Sequence, residues 1–422
     1  MAQKILGFPG DLSSHALSSL KHRNFRLFWF SQMISLMGTW MQNMAQGWLV
    51  LSLTDSAFKL GLATAVQFTP MLLFSLVAGA VADRLPKRRM LIATQVSLMV
   101  PALILGILTV TNRVQYWHVM VLAGLLGTAN AFDMPARQSF IVEMVGKADL
   151  MNAIALNSSI FNAARVVGPA FAGLTIGWFG IGPCFLLNAA SFLPIIISLT
   201  LIRTSPVGQK KEKLSEARLW ENIREGLSYI RQTPLILRTI ILMALMSIFA
   251  LNFNVLTPVL ARDNLGQGAE GYGYLMSAIG IGALMGALTL AMISHHGPRP
   301  KILLGGAVGL CTFEVLLALT TSYTWALLLL ALTGWSMITF TASVNTTLQL
   351  NVPDHLRGRI MSVYALVFGG VLPIGSLFSG YVAQLWGAPR SLVLGSLLGL
   401  LSIISVVHLE RREDSRTGSS SI

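Results

Sequence analysis

Residues 79–89 read GAVADRLPKRR and join two long apolar segments, 58–82 and 90–111. A small residue at Gly79 allows two helices to approach closely. Asp83 stands where a helix is expected to end, and its carboxylate can pair there with nearby arginines or with a facing helix N-terminus. The basic run that follows suits the headgroup region of a bilayer. The stretch therefore predicts a short loop at a membrane surface between two spanning helices.

The rest of the chain repeats this alternation of apolar segments and polar loops. Of its 422 residues, 54% are hydrophobic and only 11% are charged, whereas soluble domains average about 25% charged residues. About 20 apolar residues are enough to span a bilayer as a helix. Segments of this kind lie at 27–52, 58–82, 90–111, 116–140, 150–176, 183–202, 237–261, 271–294, 301–321, 325–347, 360–384 and 389–409. We therefore predict an all-α membrane protein with twelve transmembrane helices.

The distribution of Lys and Arg predicts the orientation of the chain. The net charge is +13, but the basic residues lie in short loops and form no folded basic surface, so we expect no binding of nucleic acid. Most of them fall on the side that holds the N-terminus. The exceptions on the other side are Lys59, Arg113, Arg262 and Arg390. By the positive-inside rule both termini are cytoplasmic, and we expect a multi-pass protein of the bacterial inner (plasma) membrane.

The chain is predicted to consist of two similar halves. We expect residues 1–203 and 237–410 to form pseudo-symmetric six-helix halves, with 411–422 as a cytoplasmic tail. Glycines recur at matching places in the two halves, pairing Gly61 with Gly273, Gly168 with Gly375, and Gly173 with Gly380. Two like halves can rock about a central site, which is how many transporters achieve alternating access.

The segment between the halves, residues 204–236, is predicted to be a cytoplasmic linker. It contains the basic run KKEK at 210–213, followed by a possible amphipathic helix. Leu219, Ile223, Leu227 and Ile230 would share one face of that helix. Such a helix either lies along the cytoplasmic interface or is a plain connection.

Residues 79–89 resemble the signature loop of the major facilitator superfamily. That signature reads glycine, three residues, aspartate, arginine, one residue, glycine and then basic residues, and here Pro86 replaces the second glycine. In the superfamily this loop latches the outward-facing state. The resemblance therefore implies conformational roles for Gly79, Asp83, Arg84 and Arg88. The corresponding loop of the second half, at 295–299, lacks the aspartate.

The fifth apolar segment resembles the antiporter signature of the same superfamily. Its small residues and its proline stand at the spacing of that signature, at Ala155, Ala164, Gly168, Pro169, Ala172 and Gly173. Small residues at four-residue spacing permit tight helix packing. The resemblance implies export, with conformational roles for Gly168, Pro169 and Gly173. The alternative is packing without any role in coupling.

Two further patterns narrow the resemblance. The fourth segment ends with Asn130, Asp133 and Arg137 on one helical face, and the fifth carries Asn162 and Arg165 just ahead of Gly168 and Pro169. These patterns are similar to the branch of the superfamily that includes bacterial enterobactin exporters and macrolide-efflux proteins. The resemblance covers nearly the whole chain and implies transport of small organic molecules.

Four charged residues are candidates for proton coupling or substrate binding: Asp133, Arg137, Arg165 and Glu314. A charge near the middle of a membrane is costly and usually functional. Asp133 is either a coupling acid or the partner of Arg137 in a structural ion pair. Arg165 serves substrate or protons, or forms an interhelical ion pair. Glu314 either carries a proton or is a hydrogen-bonded structural acid.

Polar residues recur at helical spacing on the first segment, so this stripe should avoid lipid. It consists of Gln32, Ser35, Thr39, Gln42, Asn43 and Gln46. In the superfamily helices 1, 4, 7 and 10 surround the cavity, which implies a lining role for this stripe and for Asn130, Asn252, Thr339 and Ser343. Asn162, on the fifth segment, is a further candidate for the lining. The aromatic residues Trp40, Trp48, Phe249 and Trp335 either stack on a substrate or serve only packing.

These features predict a secondary active transporter, specifically a proton-coupled exporter of small organic molecules that works by alternating access. An importer or lysolipid flippase of the same fold, and a non-transporting membrane sensor or scaffold, are the alternatives. The expected partners are a small-molecule substrate, protons and the lipid bilayer, and we expect a monomer. We expect no enzymatic activity, because the sequence shows no nucleophile–base or metal constellation. We also expect no cofactor, and the sequence has no phosphate-binding P-loop. Cys184 and Cys311 suggest neither a disulfide nor a metal site.

Overall fold

The computed structural model describes residues 18–146, 148–202, 216–293 and 300–417, and these residues are helical apart from short connections. A short 3-10 turn, Ser18–Lys21, comes first. The first half then contains six helices: α1 (Arg23–Thr54), α2 (Ala57–Arg84), α3 (Lys87–Val110), α4 (Tyr116–Val145), α5 (Leu150–Phe179) and α6 (Gly182–Leu201). Each connection between them is only a few residues long, so neighbouring helices run antiparallel.

The second half begins after the linker helix α7 (Glu216–Gln232). Its helices are α8 (Pro234–Phe249), α9 (Phe253–Val259), α10 (Ala269–Ile293), α11 (Pro300–Leu319), α12 (Tyr323–Asn351), α13 (Asp354–Gly370), α14 (Leu372–Trp386) and α15 (Ala388–Thr417). A π-helical turn, Leu260–Asn264, extends α9. α8 and α9 together make one broken span, and α13 and α14 make another.

Eleven segments of the described residues are long and apolar enough to cross a membrane. Helix α1 is not among them, although its 32 residues make it the longest helix. Its glutamines lower its mean hydropathy, yet Gln32, Gln42 and Gln46 are buried within the bundle. With α1 counted beside the eleven, the predicted all-α membrane fold of two six-helix halves is confirmed.

The two halves meet along two seams. Within the first half α1 packs on α5 and α6, α2 on α4, and α3 on α4 and α6; in the second half α12 packs on α10 and α11, and α15 on α11. Across the halves α5 packs on α10, and α2 packs on α14. We call the end of the bundle with the α1–α2 turn the Asp55 end, and the opposite end, with the α2–α3 loop, the basic end.

Both seams are closed at the Asp55 end by glycine pairs. A Cβ added at Gly61 in α2 would clash with the carbonyl oxygen of Ser376 and lie 3.2 Å from Cα of Gly380 in α14. A Cβ at Gly273 in α10 would lie 2.6 Å from the carbonyl oxygen of Pro169 and 3.0 Å from Cα of Gly173 in α5. The two contacts use the glycines that the repeat matches to each other, so the seams are related by the same pseudo-symmetry.

The linker helix α7 is packed on the second half. Ile230 is buried, Tyr229 Oη donates to the carbonyl oxygen of Asn351 at 3.5 Å, and Glu225 forms an ion pair with Arg359 in α13. Leu227 is exposed. The run at 210–213, the loop at 295–299 and the side chains of the first part of α7 lie outside the residues described.

The N-terminal turn is attached to the α4–α5 connection. Ser19 N donates to Oδ1 of Asn152 at 3.0 Å, and Nε2 of His22 lies 2.7 Å from Oδ2 of Asp149. Hydrogen bonds from His22 and then from Ser18 lower the pKa of Asp149 below its ordinary value of about 3.8. This contribution to stability is therefore complete above about pH 4 and is lost as the pH falls through the lowered pKa.

The seam contact can be tested with Gly61→Ala. The added methyl must displace the carbonyl of Ser376, and overpacking of this kind costs about 1–3 kcal/mol, so the apparent melting temperature of the purified protein should fall. Gly305→Ala is the matched control, because no atom of the described residues lies within 4 Å of a Cβ at that exposed helical position. Equal melting temperatures for the two variants would contradict the seam.

Candidate functional site

Arg165 lies near the midpoint of α5, about 22 Å from either helix end at 1.5 Å per residue. Its Nη2 donates to the sulfur of Met337 in α12 at 3.6 Å, and its guanidinium carbon lies 5.9 Å from the ring centroid of Trp40 in α1. Trp40 meets Phe161 edge-on at 5.6 Å. These four residues, here called the Arg165 cluster, join both halves at mid-depth.

Close backbone contacts fix the position of Arg165. On one side a Cβ at Gly168 would lie 2.6 Å from Cβ of Trp40, so α5 lies directly against α1. On the other side a Cβ at Gly280 in α10 would lie 3.0 Å from the carbonyl oxygen of Arg165. Ser277 Oγ, also in α10, donates to the carbonyl oxygen of Val166 at 2.7 Å. The backbone around Arg165 is therefore packed against helices of both halves. The side chain of Arg165 makes only weak contacts, with a thioether sulfur and an aromatic ring.

Asp133, by contrast, is fully engaged within the first half. Its Oδ1 accepts hydrogen bonds from Thr94 Oγ1 and Gln95 Nε2 at 2.7 Å each, and its Oδ2 accepts one from Arg137 Nε at 2.9 Å. Arg137 Nη2 donates to the same oxygen. The carboxylate is buried and joins α3 to α4. The geometry is that of the structural ion pair, which was one of the two alternatives for Asp133.

Glu314 is buried at a different place, between α11 and α15. Ser396 Oγ donates to its Oε2 at 2.9 Å, and the residue is only 2% exposed. Within the described part of the chain neither Asp133 nor Glu314 reaches Arg165. The interhelical ion pair considered for Arg165 is therefore not formed among the residues described.

The signature loop makes contacts of a different kind. Arg88 Nε and Nη2 donate to the carbonyl oxygens of Leu199 and Thr200 at 2.6 and 2.7 Å, so a cation caps the C-terminal end of α6, where the helix dipole favours it. Arg84 is exposed, and the side chain of Asp83 lies outside the described set. Among the residues described, the close approach expected at Gly79 is absent, since none of their atoms lies within 4 Å of a Cβ built there. The halves meet at the opposite end.

Part of the polar stripe of α1 forms an amide cluster with α2. Gln46 Nε2 donates to Oε1 of Gln67 at 2.9 Å, and Gln67 Nε2 donates to Oδ1 of Asn43 at 3.3 Å. A cavity of about 20 Å³ lies beside these amides and is also lined by Gly47 and by Asn254 of α9. This volume suits roughly one water molecule. Because Asn254 belongs to the second half, the amide cluster lines a small polar cavity where the two halves meet.

The rest of the α1 stripe points elsewhere. Gln42 Oε1 accepts a hydrogen bond from Asn188 Nδ2 in α6 at 2.6 Å, and is buried inside the first half. Gln32 and Ser35 are also buried. Thr39 Oγ1 donates to the carbonyl oxygen of Ser35 at 2.9 Å. These four side chains line no described cavity in this conformation.

The other predicted lining residues are dispersed. Asn130 is exposed on α4, and Asn162 Nδ2 donates to the carbonyl oxygen of its own helix at Ser158. Asn252 lies in the break between α8 and α9, where its Nδ2 donates to the carbonyl oxygen of Ile248 at 2.7 Å. Thr339 and Ser343 are buried in α12, and Thr339 donates to the carbonyl oxygen of Trp335. None of these residues belongs to the Arg165 cluster.

Only one of the four predicted aromatic residues, Trp40, belongs to that cluster. Trp48 stacks on Tyr272 across the halves, with ring centroids 5.8 Å apart. Trp335 Nε1 donates to Oγ1 of Thr289, and Phe249 packs edge-on against Phe378. Phe249, Trp335 and Trp48 thus serve packing in this state.

Sequence reasoning missed a polar lock at the Asp55 end. Arg262 Nη2 lies 2.6 Å from Oδ1 of Asp55, and Arg262 Nη1 donates to the carbonyl oxygen of Leu51 at 3.2 Å. Ser56 Oγ donates to Oε1 of Gln384 at 2.7 Å. Each contact crosses from one half to the other. The available signal was that Arg262 is one of the few arginines on its side of the membrane.

Two like helical halves, closed at one end and enclosing a charged residue at mid-depth, define a membrane transporter of the major facilitator fold. Solved structures confirm this fold. The nucleoside transporter NupG is similar with a TM-score of 0.73 and 11% identity, covering 91% of this chain and 98% of that one. A bacterial homologue of the human lysosomal transporter Spinster, in an inward-facing and unoccupied conformation, gives a TM-score of 0.71 at 13% identity, covering 95% and 96%.

The family follows from the sequence match. The model of the family described as transmembrane secretion effector matches residues 14–421. This chain therefore belongs to that family of major facilitator transporters, and it is a transporter, not an enzyme. The resemblance to exporters that the sequence indicated is confirmed at the level of the family.

Curated relatives carry efflux and transport functions. The multidrug efflux pump Tap of Mycolicibacterium fortuitum is 27% identical and covers 94% of this chain and 98% of its own length. The staphyloferrin A transporter of Staphylococcus aureus is 25% identical, covering 90% and 93%. The enterobactin exporter EntS of Escherichia coli K12 is 24% identical, covering 96% and 98%. This chain is thus a multi-pass membrane protein homologous to bacterial efflux proteins.

The polar lock can be tested by cross-linking. In a Ser56→Cys/Gln384→Cys protein, a short bifunctional thiol reagent should cross-link the halves, because the two native side chains are in hydrogen-bond contact and the reagent replaces the length that a cysteine lacks at position 384. Adding Arg262→Gln should slow that reaction by up to about fivefold, since exposed ion pairs contribute roughly 0.2–1 kcal/mol. Arg113→Gln, an exposed arginine at the same end, should leave the rate unchanged. Equal rates for all three proteins would contradict the lock.

Proposed function

We propose that this chain is a proton-coupled exporter of small organic molecules that works by alternating access. The observation that carries the proposal is the Arg165 cluster: a cation at mid-depth in the seam, contacted from both halves, with no described carboxylate partner. A group so placed can bind a solute and face either end as the halves rock. The efflux functions of the relatives support export as the direction.

The orientation belongs to the same proposal. With the basic end in the cytoplasm, most of the Lys and Arg residues lie inside, as the positive-inside rule requires. The glycine pairs and the polar lock then close the outer side, and the conformation is inward-facing. A solute would enter from the cytoplasm and reach the Arg165 cluster. Release outside would require the seams at the Asp55 end to part.

The contacts at the Asp55 end suit such a reversible gate. The Arg262–Asp55 pair is solvent-exposed, with Asp55 85% exposed, and exposed pairs contribute only about 0–1 kcal/mol. The glycine contacts are van der Waals contacts between backbones, so they need no side-chain rearrangement to separate. The gate can therefore open without a large energetic barrier from these groups.

For proton coupling we propose Glu314 as the first candidate. Asp133 is neutralised by Arg137 and accepts two further hydrogen bonds, so a proton on Asp133 would leave a partly buried arginine unpaired. Glu314 has one neutral donor, Ser396, so a change in its protonation leaves no cation unmatched. Helix α11, which carries Glu314, packs closely on α12, and α12 supplies Met337 to the Arg165 cluster.

Export can be tested by the accumulation of fluorescent drugs and of a catecholate siderophore in an efflux-deficient bacterial host. The wild-type protein should lower accumulation of at least one compound, and Arg165→Ala should abolish the effect at equal expression. Arg113→Ala should behave as wild type. Higher accumulation with the wild-type protein would favour an importer, and no effect for any compound would count against export and favour a lipid cargo.

Coupling can be tested in everted vesicles that show this transport. Collapse of the proton gradient without sodium present should stop uptake, and Glu314→Gln should reduce the response to an imposed pH gradient by tenfold or more. Asp133→Asn should instead lower the amount of folded protein, because it leaves Arg137 unpaired. Transport that continues undiminished without the gradient would exclude proton coupling.

A further inference from the structure

We propose that the cargo is an organic anion with an aromatic or otherwise flat apolar body, and that Arg165 binds its acidic group while Trp40 and Phe161 contact the body. This inference rests on the proposed transport function and adds the substrate class to it. The acidic group is a carboxylate, a phenolate of low pKa or a sulfonate. Each of these presents oxygens that a planar guanidinium can bind in a forked geometry.

The first support is the charge pattern of the described residues. Both buried acidic groups among the described residues have their own partners, away from Arg165. Asp133 is paired with Arg137, and Glu314 accepts a hydrogen bond from Ser396. The exposed Glu143 and Glu270 also contact other residues, Lys87 and Tyr274. Arg165 is contacted instead by a thioether and an aromatic ring. The described part of the seam therefore carries a positive charge at mid-depth that no protein carboxylate neutralises.

An unneutralised guanidinium in this place favours one sign of cargo. Withdrawing a charge from water is costly unless an opposite charge or full hydrogen bonding replaces the water. An anionic cargo supplies that partner, and the interaction is stronger in a low-dielectric seam than in water. A cationic cargo would meet a like charge at the same point. The Arg165 cluster therefore selects cargo mainly by the sign of its charge, and shape is a secondary criterion.

The second support is the state of the donor groups. Arginine has five N–H donors, and a thioether sulfur is only a weak acceptor. In Arg165 the described side-chain hydrogen bond uses Nη2 alone, at 3.6 Å to Met337. The flexible side chain of Met337 can move aside for ligands of different shape. The remaining donors can then be used for cargo without breaking a strong contact.

The third support is the aromatic surface beside the charge. Trp40 lies against Arg165 on one side and meets Phe161 at an interplanar angle of 73° on the other. Their two rings form an angled apolar wall next to the guanidinium. The amide cluster of Asn43 and Gln46, further along α1 from Trp40, and Gln67 of α2 is uncharged. It can bind hydroxyl or amide groups of a cargo, but it cannot offset the positive charge.

Three probes with the same naphthalene ring and different charges separate this proposal from non-specific apolar binding. They are 1-naphthylacetate (anionic), 1-naphthylacetamide (neutral) and 1-naphthylmethylamine (cationic at pH 7). Binding is measured by equilibrium dialysis with the purified full chain in nanodiscs of zwitterionic lipid, which removes competing anionic headgroups. We expect the acetate to bind about tenfold tighter than the amide, and the amine to bind weakest, because charge-assisted hydrogen bonds are about twice as strong as neutral ones.

Variants assign the preference to Arg165. Arg165→Gln should weaken binding of the acetate about tenfold or more and leave binding of the amide within about twofold. Arg165→Lys should retain part of the preference, because it keeps the charge but loses the planar fork. Arg113→Gln should match the wild type. Helical circular dichroism and size-exclusion profiles identify any variant that has not folded. If Arg165→Gln has not folded, a reduced preference for the acetate in Arg165→Lys is the result that tests the role of Arg165.

Four results would overturn the proposal: equal affinity for acetate and amide, tightest binding of the amine, no saturable binding of the acetate, or a preference that persists in Arg165→Gln. These results are distinct from a failure of the transport function. Arg165-dependent binding without vesicle transport would leave the charge selectivity standing and remove export. Export of all three probes at equal rates by the wild-type protein would leave export standing and remove the charge selectivity.

Discussion

The contact between glycine backbones at the Asp55 end sets the relation of the two halves. In lipid, helices gain little from apolar burial, so their association depends on close packing and hydrogen bonds. Gly61 against Gly380 and Gly173 against Gly273 give the closest packing available, because no Cβ separates the helices. Once the seams close, Trp48 reaches Tyr272, and the lock of Arg262 comes within hydrogen-bond distance of Asp55. The side-chain contacts therefore depend on the glycines.

The charges inside the bundle follow a different rule. Asp133 has four donor contacts, and Glu314 has a hydroxyl partner, so both are accommodated by their own half. Arg165 is accommodated by neither half. In the proposed mechanism the two halves must separate. A strong ion pair between them would oppose that movement, because it would hold the halves together. A cation with soft contacts avoids that restraint and keeps its donors for a solute.

Apolar length and the placement of Lys and Arg were enough to predict the helices, because spanning a bilayer constrains both. The breaks at Ala250–Asn252 and Val371 were not predicted, since hydropathy does not register a change of backbone angle. The sequence also did not predict which neighbour each polar side chain of a helix would contact. Asn43 and Gln42 are adjacent, yet Asn43 meets Gln67 in the seam region while Gln42 meets Asn188 inside the half. The sequence predicted close packing at Gly79, but in this conformation the close contact is at Gly61, which the sequence indicated only as part of the repeat.

In the proposed mechanism, the mid-depth position of Arg165 matters for release of the cargo as much as for its binding. The residue lies about equally far from both ends of α5, so a rocking of the halves changes which end admits water without moving the charge along the membrane. When both ends are narrow, the low dielectric strengthens the attraction between a guanidinium and an anion; when one end opens, water weakens it severalfold. The same interaction can then hold cargo during the transition and release it afterwards. A fixed pair of opposite charges in the protein would provide neither step.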